Sequence, residues 1–323
     1  VITRPPLRNR EGEHAYDATW PWDRGRLRDG ATAVLRVRDE ARWLPYALPP
    51  LLRACDEVLL VDNGSRDGSA AVAVAAAARL GLGHRLRVLD YPFPVARAGA
   101  EHEATPPDSV HSLAYFYNWC FAQVRTRWSW KWDGDMTLTA EGEATLGDVG
   151  WQVGRTPVVV RAPRHGVYLV DDGHAWVDLG WRNVEEWGFP TGPDYVYAKA
   201  PSWEIRTTPP GIRTRVLPAG LVVELKHLDD DEFDHWTDPT AFSARTHQRK
   251  RREWEVVRDL RAGRVPDGLH EVVAPEGTGV VDHVVRTWLP GRPRPFEVVD
   301  PREGPAARSR RLQRVRDAAA ALG

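Results

Sequence analysis

Over the first 140 positions, short apolar runs alternate with segments of helical spacing. Ala31–Val37 (ATAVLRV) and Glu57–Val61 (EVLLV) read as strands, Arg87–Leu89 as a shorter one and Trp128–Trp132 (WSWKW) as a fourth. Glu40–Ala54 has helical spacing but holds Pro45, Pro49 and Pro50, which are expected to bend or divide it. An alanine-rich helix is expected over about Ser69–Leu80, with Ser65 or Asp67 as its cap. Tyr91–Pro107, rich in Pro, Ala and Glu, reads as a loop, and Ser109–Arg125 as a helix. The order β-α-β-α-β-α-β implies a mostly parallel sheet with crossover helices.

Beyond Asp135 the pattern changes. Strands rich in Val and Tyr (Pro157–Arg161, Gly166–Val170, Leu221–Leu225) alternate with loops rich in Trp and Gly. Trp151, Trp176, Trp181, Trp187 and Trp203 all fall in this half. A basic helix is expected over roughly Pro239–Ala262 and another over Ala306–Leu322. Residues 1–30 are polar, rich in arginine and irregular, an extension lying over a domain. No internal repeat is visible.

The chain has 323 residues, enough for one large α/β domain or a domain with an appendage. A formal net charge of −1 selects neither nucleic acid nor an anionic membrane. Cys55 and Cys120 are the only cysteines, too few for a disulfide framework and in keeping with a reducing compartment. The longest apolar run, Ala70–Ala78, has nine residues, far short of a membrane span. No signal-peptide pattern opens the chain, so a soluble cytoplasmic enzyme is the default expectation, with peripheral membrane contact as the other option. Lysine is confined to Lys131, Lys199, Lys226 and Lys250 while arginine abounds, a bias that reads as genome composition.

Two stretches carry candidate chemistry. Glu57–Val61 runs into Asp62, Asn63, Gly64 and Ser65; Trp128–Trp132 runs into Asp133, Gly134 and Asp135. Ligands of open α/β sheets bind at the carboxyl ends of strands. Two acidic strand ends therefore suggest a site that holds a metal and a nucleotide. In this order the pieces resemble the GT-A fold, most closely the family 2 glycosyltransferases. That family opens with a strand of the type SVIIPVYNEE, and Ala33–Ala41 reads AVLRVRDEA. VDDGSTDGS follows, matched by Val61–Ser69 (VDNGSRDGS) with Asn63 for the second Asp and Arg66 for Thr. A D-x-D then ends a later strand, matched by Asp133–Gly134–Asp135. The likeness covers about 31–140 well and 141–235 loosely. The nine-residue motif in its place before a helix is fairly specific. A D-x-D alone is weak, since another stands at Asp229–Asp231.

The resemblance implies an α/β GT-A core, Rossmann-like with flanking helices, over 31–235, split into a nucleotide-sugar half (31–136) and an acceptor half (137–235). Residues 236–323 would then form a mainly helical appendage, a candidate surface for homo-oligomers. The implied activity is a metal-dependent hexosyltransferase-like glycosyltransferase. It would move a sugar from a UDP- or GDP-type donor to a carbohydrate or other hydroxyl acceptor, with inversion. Asp133 and Asp135 would bind Mn²⁺ or Mg²⁺, hard cations that prefer oxygen ligands, and Asp133 would also meet the nucleotide sugar. Their plain alternative is an acidic turn. Asp62 and Asn63 fall where the family holds the nucleoside; the alternative is a turn and helix cap, Asn-Gly being a frequent turn pair.

Arg36 and Arg38 stand on the first strand, where the family has small or aromatic residues. Alternation puts them on one face, either to clamp the diphosphate or as a surface stripe. His227 follows a late strand in the region from which many GT-A enzymes complete the metal shell, or is simply structural. A base for the acceptor hydroxyl is expected downstream of the D-x-D. Asp194 in Gly192–Pro193–Asp194–Tyr195 matches best, with Glu185 and Glu186 as rivals.

Trp181, Trp187 and Trp203 can stack on sugar faces or fill the core, while Trp128, Trp130 and Trp132 alternate on a central strand and should be buried. Arg245–Arg252 (RTHQRKRR) reads as a solvated helix face rather than a membrane or nucleic-acid contact, with Trp254, Val257 and Leu260 on its buried side. Two other classes of function remain. A nucleotidyltransferase of related fold would show a glycine-rich signature after the first strand, and Arg36–Glu40 (RVRDE) has no glycine. An inactive nucleotide- or carbohydrate-binding module would not need the intact D-x-D.

Overall fold

The alternation of the first half is built as β1 (Arg28–Val37), α1 (Leu44–Ala54), β2 (Glu57–Asp62), α2 (Ser69–Arg79), β3 (Leu86–Asp90), α3 (Ala100–Ala104), α4 (Leu113–Ala122) and β4 (Thr126–Asp133). Next come β5 (Met136–Leu138), α5 (Ala140–Val153), β6 (Val158–Leu169), β7 (His174–Asp178), β8 (Asn183–Pro190), β9 (Tyr197–Lys199), β10 (Glu204–Arg206), β11 (Arg213–Val216) and β12 (Val222–His227). The chain then adds α6 (Gln248–Arg261), β13 (Leu269–Val273) and α7 (Val280–His283). The computed structural model describes residues 6–20, 27–153, 157–180, 183–201, 203–229 and 248–292. The expected helix at Ala306–Leu322 and the start of the one at Pro239 lie outside them, as does Trp181. The described residues form two units. One is drawn from Val1–Met136, Glu143–Val160 and Glu186–Arg215, the other from Thr137–Gly142, Arg161–Glu185 and Val216–Gly323.

In the first unit the strands lie in the order β3–β2–β1–β4–β8. The first four are parallel and β8 runs antiparallel to β4. This is the Rossmann-like α/β architecture expected of a GT-A fold. Val34, Leu59 and Val61 share one face by register, and α4 covers them with Phe116, Trp119 and Phe121. On the other face Trp130 pairs with Ala33 and Trp132 with Leu35. Trp128, Trp130 and Trp132 are all buried, as the alternation requires. Residues 6–20 of the N-terminal segment are hydrogen-bonded to α4 and the turn before it. The Tyr115 hydroxyl donates to the carbonyls of Leu7 and Tyr16, and Ser109 donates to Glu11.

Three expectations are corrected here. Pro49 and Pro50 stand inside α1 without dividing it. Pro45 falls in the first turn, where a missing N–H costs nothing, and burial of Leu44, Leu48, Leu51 and Leu52 holds the rest. Arg85 reaches the orphan carbonyls of Leu52 and Cys55 at its end. Tyr91–Pro107 is not all loop, because α3 forms within it. Lys199 donates to the carbonyls of Glu103 and Thr105 at the end of that helix, a tertiary support that no local pattern reveals. The helix expected from Ser109 begins only at Leu113, capped by Ser112.

In the second unit β6 runs parallel to β12 and antiparallel to β7, which pairs antiparallel with β13. Pro157–Arg161 and Gly166–Val170 were expected as two strands, but Val158–Leu169 is continuous. The intervening Arg164 is buried rather than looped out, because it lies 3.0 Å from Glu224 on β12. Lys226 is 3.2 Å from Glu224, and Lys250 of α6 is 3.2 Å from Glu253. Arg252 reaches Asp178 at 3.1 Å. The described part of the basic run is thus partly consumed in ion pairs and is not a purely solvated face. Val257 is buried as expected, Trp254 and Leu260 only partly. No helix among the described residues is long and apolar enough to cross a membrane.

Gly188 on β8 sits opposite Trp130. A Cβ there would lie 2.5 Å from the Trp130 ring and 2.9 Å from Trp128. Neither indole can swing aside within the buried layer, so Gly188→Ala should destabilise by about 1–3 kcal/mol. Gly83→Ala, where a Cβ meets nothing within 4 Å, is the control. Thermal melts of the two variants should separate clearly.

Candidate active site

The register of the first unit brings the acidic strand ends together. Within β1, Val37 pairs with Asp62 of β2 and Arg36 with Asp133 of β4; Asp62 pairs in turn with Asp90 of β3. Asp90, Asp62 and Asp133 therefore stand along one carboxyl edge of the sheet. Asp62, Asp133 and Asp135 are all half-buried, neither sealed in the core nor fully solvated.

Two loops at this edge are tied to each other. The amide of Asp39 donates to the Ser65 hydroxyl at 3.0 Å, and that of Arg66 to the Asp39 carboxylate at 2.6 Å. Glu40 N–H donates to Ser69 and Ala41 N–H to Asp67, both within 2.8 Å. Asp62 accepts from the Ser65 amide at 2.8 Å. Gly64 and Gly68 take φ of 72° and 85°, left-handed values that suit glycine. Much of the VDNGSRDGS motif is thus loop wiring. Asp67 also accepts from the Ser69 amide, but the cap position itself is Gly68, and Ser65 bonds to Asp39 instead. Asn63 is buried, and its amide nitrogen donates to the carbonyls of Tyr91 at 2.9 Å and Phe93 at 2.6 Å. It moors the segment after β3.

Arg36 and Arg38 do not make the expected pair on one strand face. β1 ends at Val37, leaving Arg38 exposed beyond it. Arg36 is buried, donates to the Trp132 carbonyl at 3.2 Å and forms an ion pair with Asp133. Its guanidinium lies 3.9 Å over the Tyr117 ring. Glu40 is a residue that sequence reading passed over as a site candidate. A Cβ on Gly134 would meet its side chain at 2.7 Å, so Glu40 reaches the D-x-D turn. The signal lay in the motif itself, where Glu40 falls on a Glu of the resembled opening strand.

Of the three candidate bases, Asp194 is exposed in the turn between β8 and β9. Glu186 pairs with Arg206, whose side chain is 4% exposed and lies over the Phe189 ring at 4.1 Å. Glu185, in the second unit, is 3.8 Å from the buried Arg164. His227 also belongs to the second unit, half-buried at the end of β12, with Nδ1 2.6 Å from Asp229. Of the tryptophans considered for sugar stacking, Trp187 is buried and Trp203 only partly exposed. Cys55 and Cys120 are both buried; burial pushes the Cys55 thiol up to about 12 and raises Cys120 as well. Neither is a thiolate nucleophile at neutral pH.

The donors at the strand end, Asp133 and Asp135 with Glu40 beside them, are all oxygens, which suits Mg²⁺ or Mn²⁺. Among the described residues no three His, Cys, Asp or Glu side chains are gathered as a metal cluster. A cation here would take its remaining ligands from phosphate and water, as such ions commonly do.

No family model matches the chain, and no curated protein does. Solved structures do. TarS 1–349 of S. aureus, in complex with UDP-GlcNAc, matches at 14% identity and TM-score 0.40, over 66% of this chain and 63% of that one. The mannosyltransferase PcManGT from Pyrobaculum calidifontis, in complex with GDP-Man and Mn²⁺, matches at 15% and 0.36, over 77% and 69%. Glucosyl-3-phosphoglycerate synthase of M. tuberculosis matches at 17% and 0.26, over 46% and 52%. The chain spans 22% to 63% of the length of the TarS chains. Matches at these scores carry no argument about activity, so the functional reading rests on the residues above.

Asp67 offers a test of the loop wiring. Partial burial works to raise its pKa, but hydrogen bonds from the Ser69 hydroxyl and from the Ala41 and Ser69 amides hold it below the usual carboxylate range. A depressed folded pKa gives stability that is present above the unfolded value and lost as pH falls through the folded one. Asp67→Asn should therefore lower the melting temperature at neutral pH, and the gap from wild type should shrink below about pH 3.9. A gap that stays constant into acid would break this account.

Proposed function

We propose that this chain is a glycosyltransferase that takes a sugar from a nucleoside-diphosphate donor to a hydroxyl acceptor. The observation that supports it most is the pairing of β1 with both β2 and β4, which brings Asp62 and Asp133, one register step apart, to the same carboxyl edge of the sheet. Asp62 and Asn63 are assigned to the nucleoside, where a carboxylate and a carboxamide can bond base N–H groups or ribose hydroxyls. Arg38, exposed just past β1, is assigned to the diphosphate, for which guanidinium geometry is suited. Asp133 and Asp135 are assigned to a divalent cation, Mn²⁺ or Mg²⁺. When bound, that ion supplies Lewis-acid stabilisation of the charge gathering on the departing diphosphate.

The remaining chemistry is a proton. As the acceptor hydroxyl attacks the anomeric carbon, it must lose its hydrogen to a carboxylate within hydrogen-bond reach. Asp194 is assigned that role. Glu186 is the weaker choice because it already carries the counter-charge of Arg206. A base of this kind goes with inversion of configuration, since attack from the face opposite the leaving group needs an activated hydroxyl.

Calorimetric titration of UDP and GDP, with and without Mn²⁺, tests the donor site. Wild type should bind one of them in a metal-dependent manner, and Asp135→Ala should lose that dependence. If neither nucleotide binds under any metal condition, the reading fails. Asp194→Asn should lower donor turnover by about 10²–10⁴-fold with nucleotide affinity unchanged. An equal loss in Glu186→Gln alone would move the base to Glu186.

A further inference from the structure

Arg36 is, with Arg38, a candidate for gripping the diphosphate, yet its surroundings suit a different task. Its side chain is 5% exposed, while that of its partner Asp133 is 35% exposed. The cation is thus sealed inside and the anion faces outward. Burying a guanidinium is costly unless its charge and N–H groups are met. Its charge and its Nη2 are met by three groups of the first unit, the Asp133 carboxylate, the Trp132 carbonyl at 3.2 Å and the face of Tyr117 at 3.9 Å, while its buried Nε has no hydrogen-bond partner among the described residues. Register fixes all of this, because Arg36 and Asp133 are direct neighbours on parallel strands. To grip a diphosphate with both arms of its guanidinium, a side chain only 5% exposed would have to turn outward, away from these partners. Arg38 is already exposed beyond the strand and needs no such rearrangement.

We infer that Arg36 is a positioning residue that clamps the Asp133 carboxylate from behind and so sets the orientation it presents to the metal-bound donor. This rests on the proposed transferase reading. One oxygen, Oδ1, is engaged by Nη2, the nitrogen that also donates to the Trp132 carbonyl, and stacking on Tyr117 fixes the direction from which it is held. Such partners behind a ligating carboxylate commonly change metal affinity by about 10- to 100-fold.

The test separates nucleotide binding with Mn²⁺ from binding without it. Calorimetry of UDP and GDP on Arg36→Met should show the metal-dependent affinity falling by about 10- to 100-fold, with metal-free affinity within about twofold of wild type. In an Asp133→Asn background, Arg36→Met should add nothing further. Equal weakening with and without Mn²⁺ would mean that Arg36 touches the donor and would overturn the inference. A lowered melting temperature with both affinities intact would overturn it too, leaving Arg36 merely structural. If Arg36→Met does not fold, Arg36→Lys takes its place in the same comparison. It keeps the charge, but its ammonium stops one bond short of the Nη2 that meets both Trp132 and Asp133. Wild type that binds neither nucleotide would instead sink the transferase reading itself.

Discussion

The site depends on one constraint, the double parallel register of β1. Because β1 pairs with β2 on one side and β4 on the other, the residues that end those strands must come within one register step of each other. Val37 fixes Asp62 and Arg36 fixes Asp133. A slip of one residue would turn each carboxylate to the opposite face. The register is guarded on both faces, by the α4 aromatics over Val34, Leu59 and Val61 and by the tryptophans opposite Ala33 and Leu35. A large apolar investment in the sheet thus fixes the positions of a few polar groups at its edge.

The two units handle buried charge differently. In the first, two arginines with little-exposed side chains have more exposed carboxylate partners: Arg36 with Asp133, Arg206 with Glu186. The pairing turns the anion outward, toward solvent and ligands. In the second, Arg164, Glu224, Lys226 and Glu253 are buried together. Charges closed on one another in this way hold β6, β12 and α6 in place but offer little to a substrate. Removing one partner would leave an uncompensated charge inside.

Much of the first unit was legible because its signals are local. Apolar runs ending in Asp62 and Asp133 gave strands and their carboxyl ends, and the alanine-rich run from Ser69 gave a helix. What stayed hidden depends on residues far apart in sequence. Lys199 supports α3 across nearly a hundred positions, and Glu224 keeps Arg164 inside a continuous β6. Alternation put Arg36 and Arg38 on one face, but the strand stops between them. Asn63 read as a ligand or a turn residue, and its buried amide also moors the chain after β3. Glu40 was visible in the motif but became a site neighbour only when β1 and β4 were set side by side.

The most direct measurement is a crystal structure of the protein soaked with UDP or GDP and Mn²⁺, with anomalous data to locate the ion. The account predicts a manganese peak within ligand distance of Asp135 and Asp133, and the nucleoside beside Asp62 and Asn63. A nucleotide held elsewhere, or an ion that ignores the strand ends while the nucleotide is bound, would contradict it.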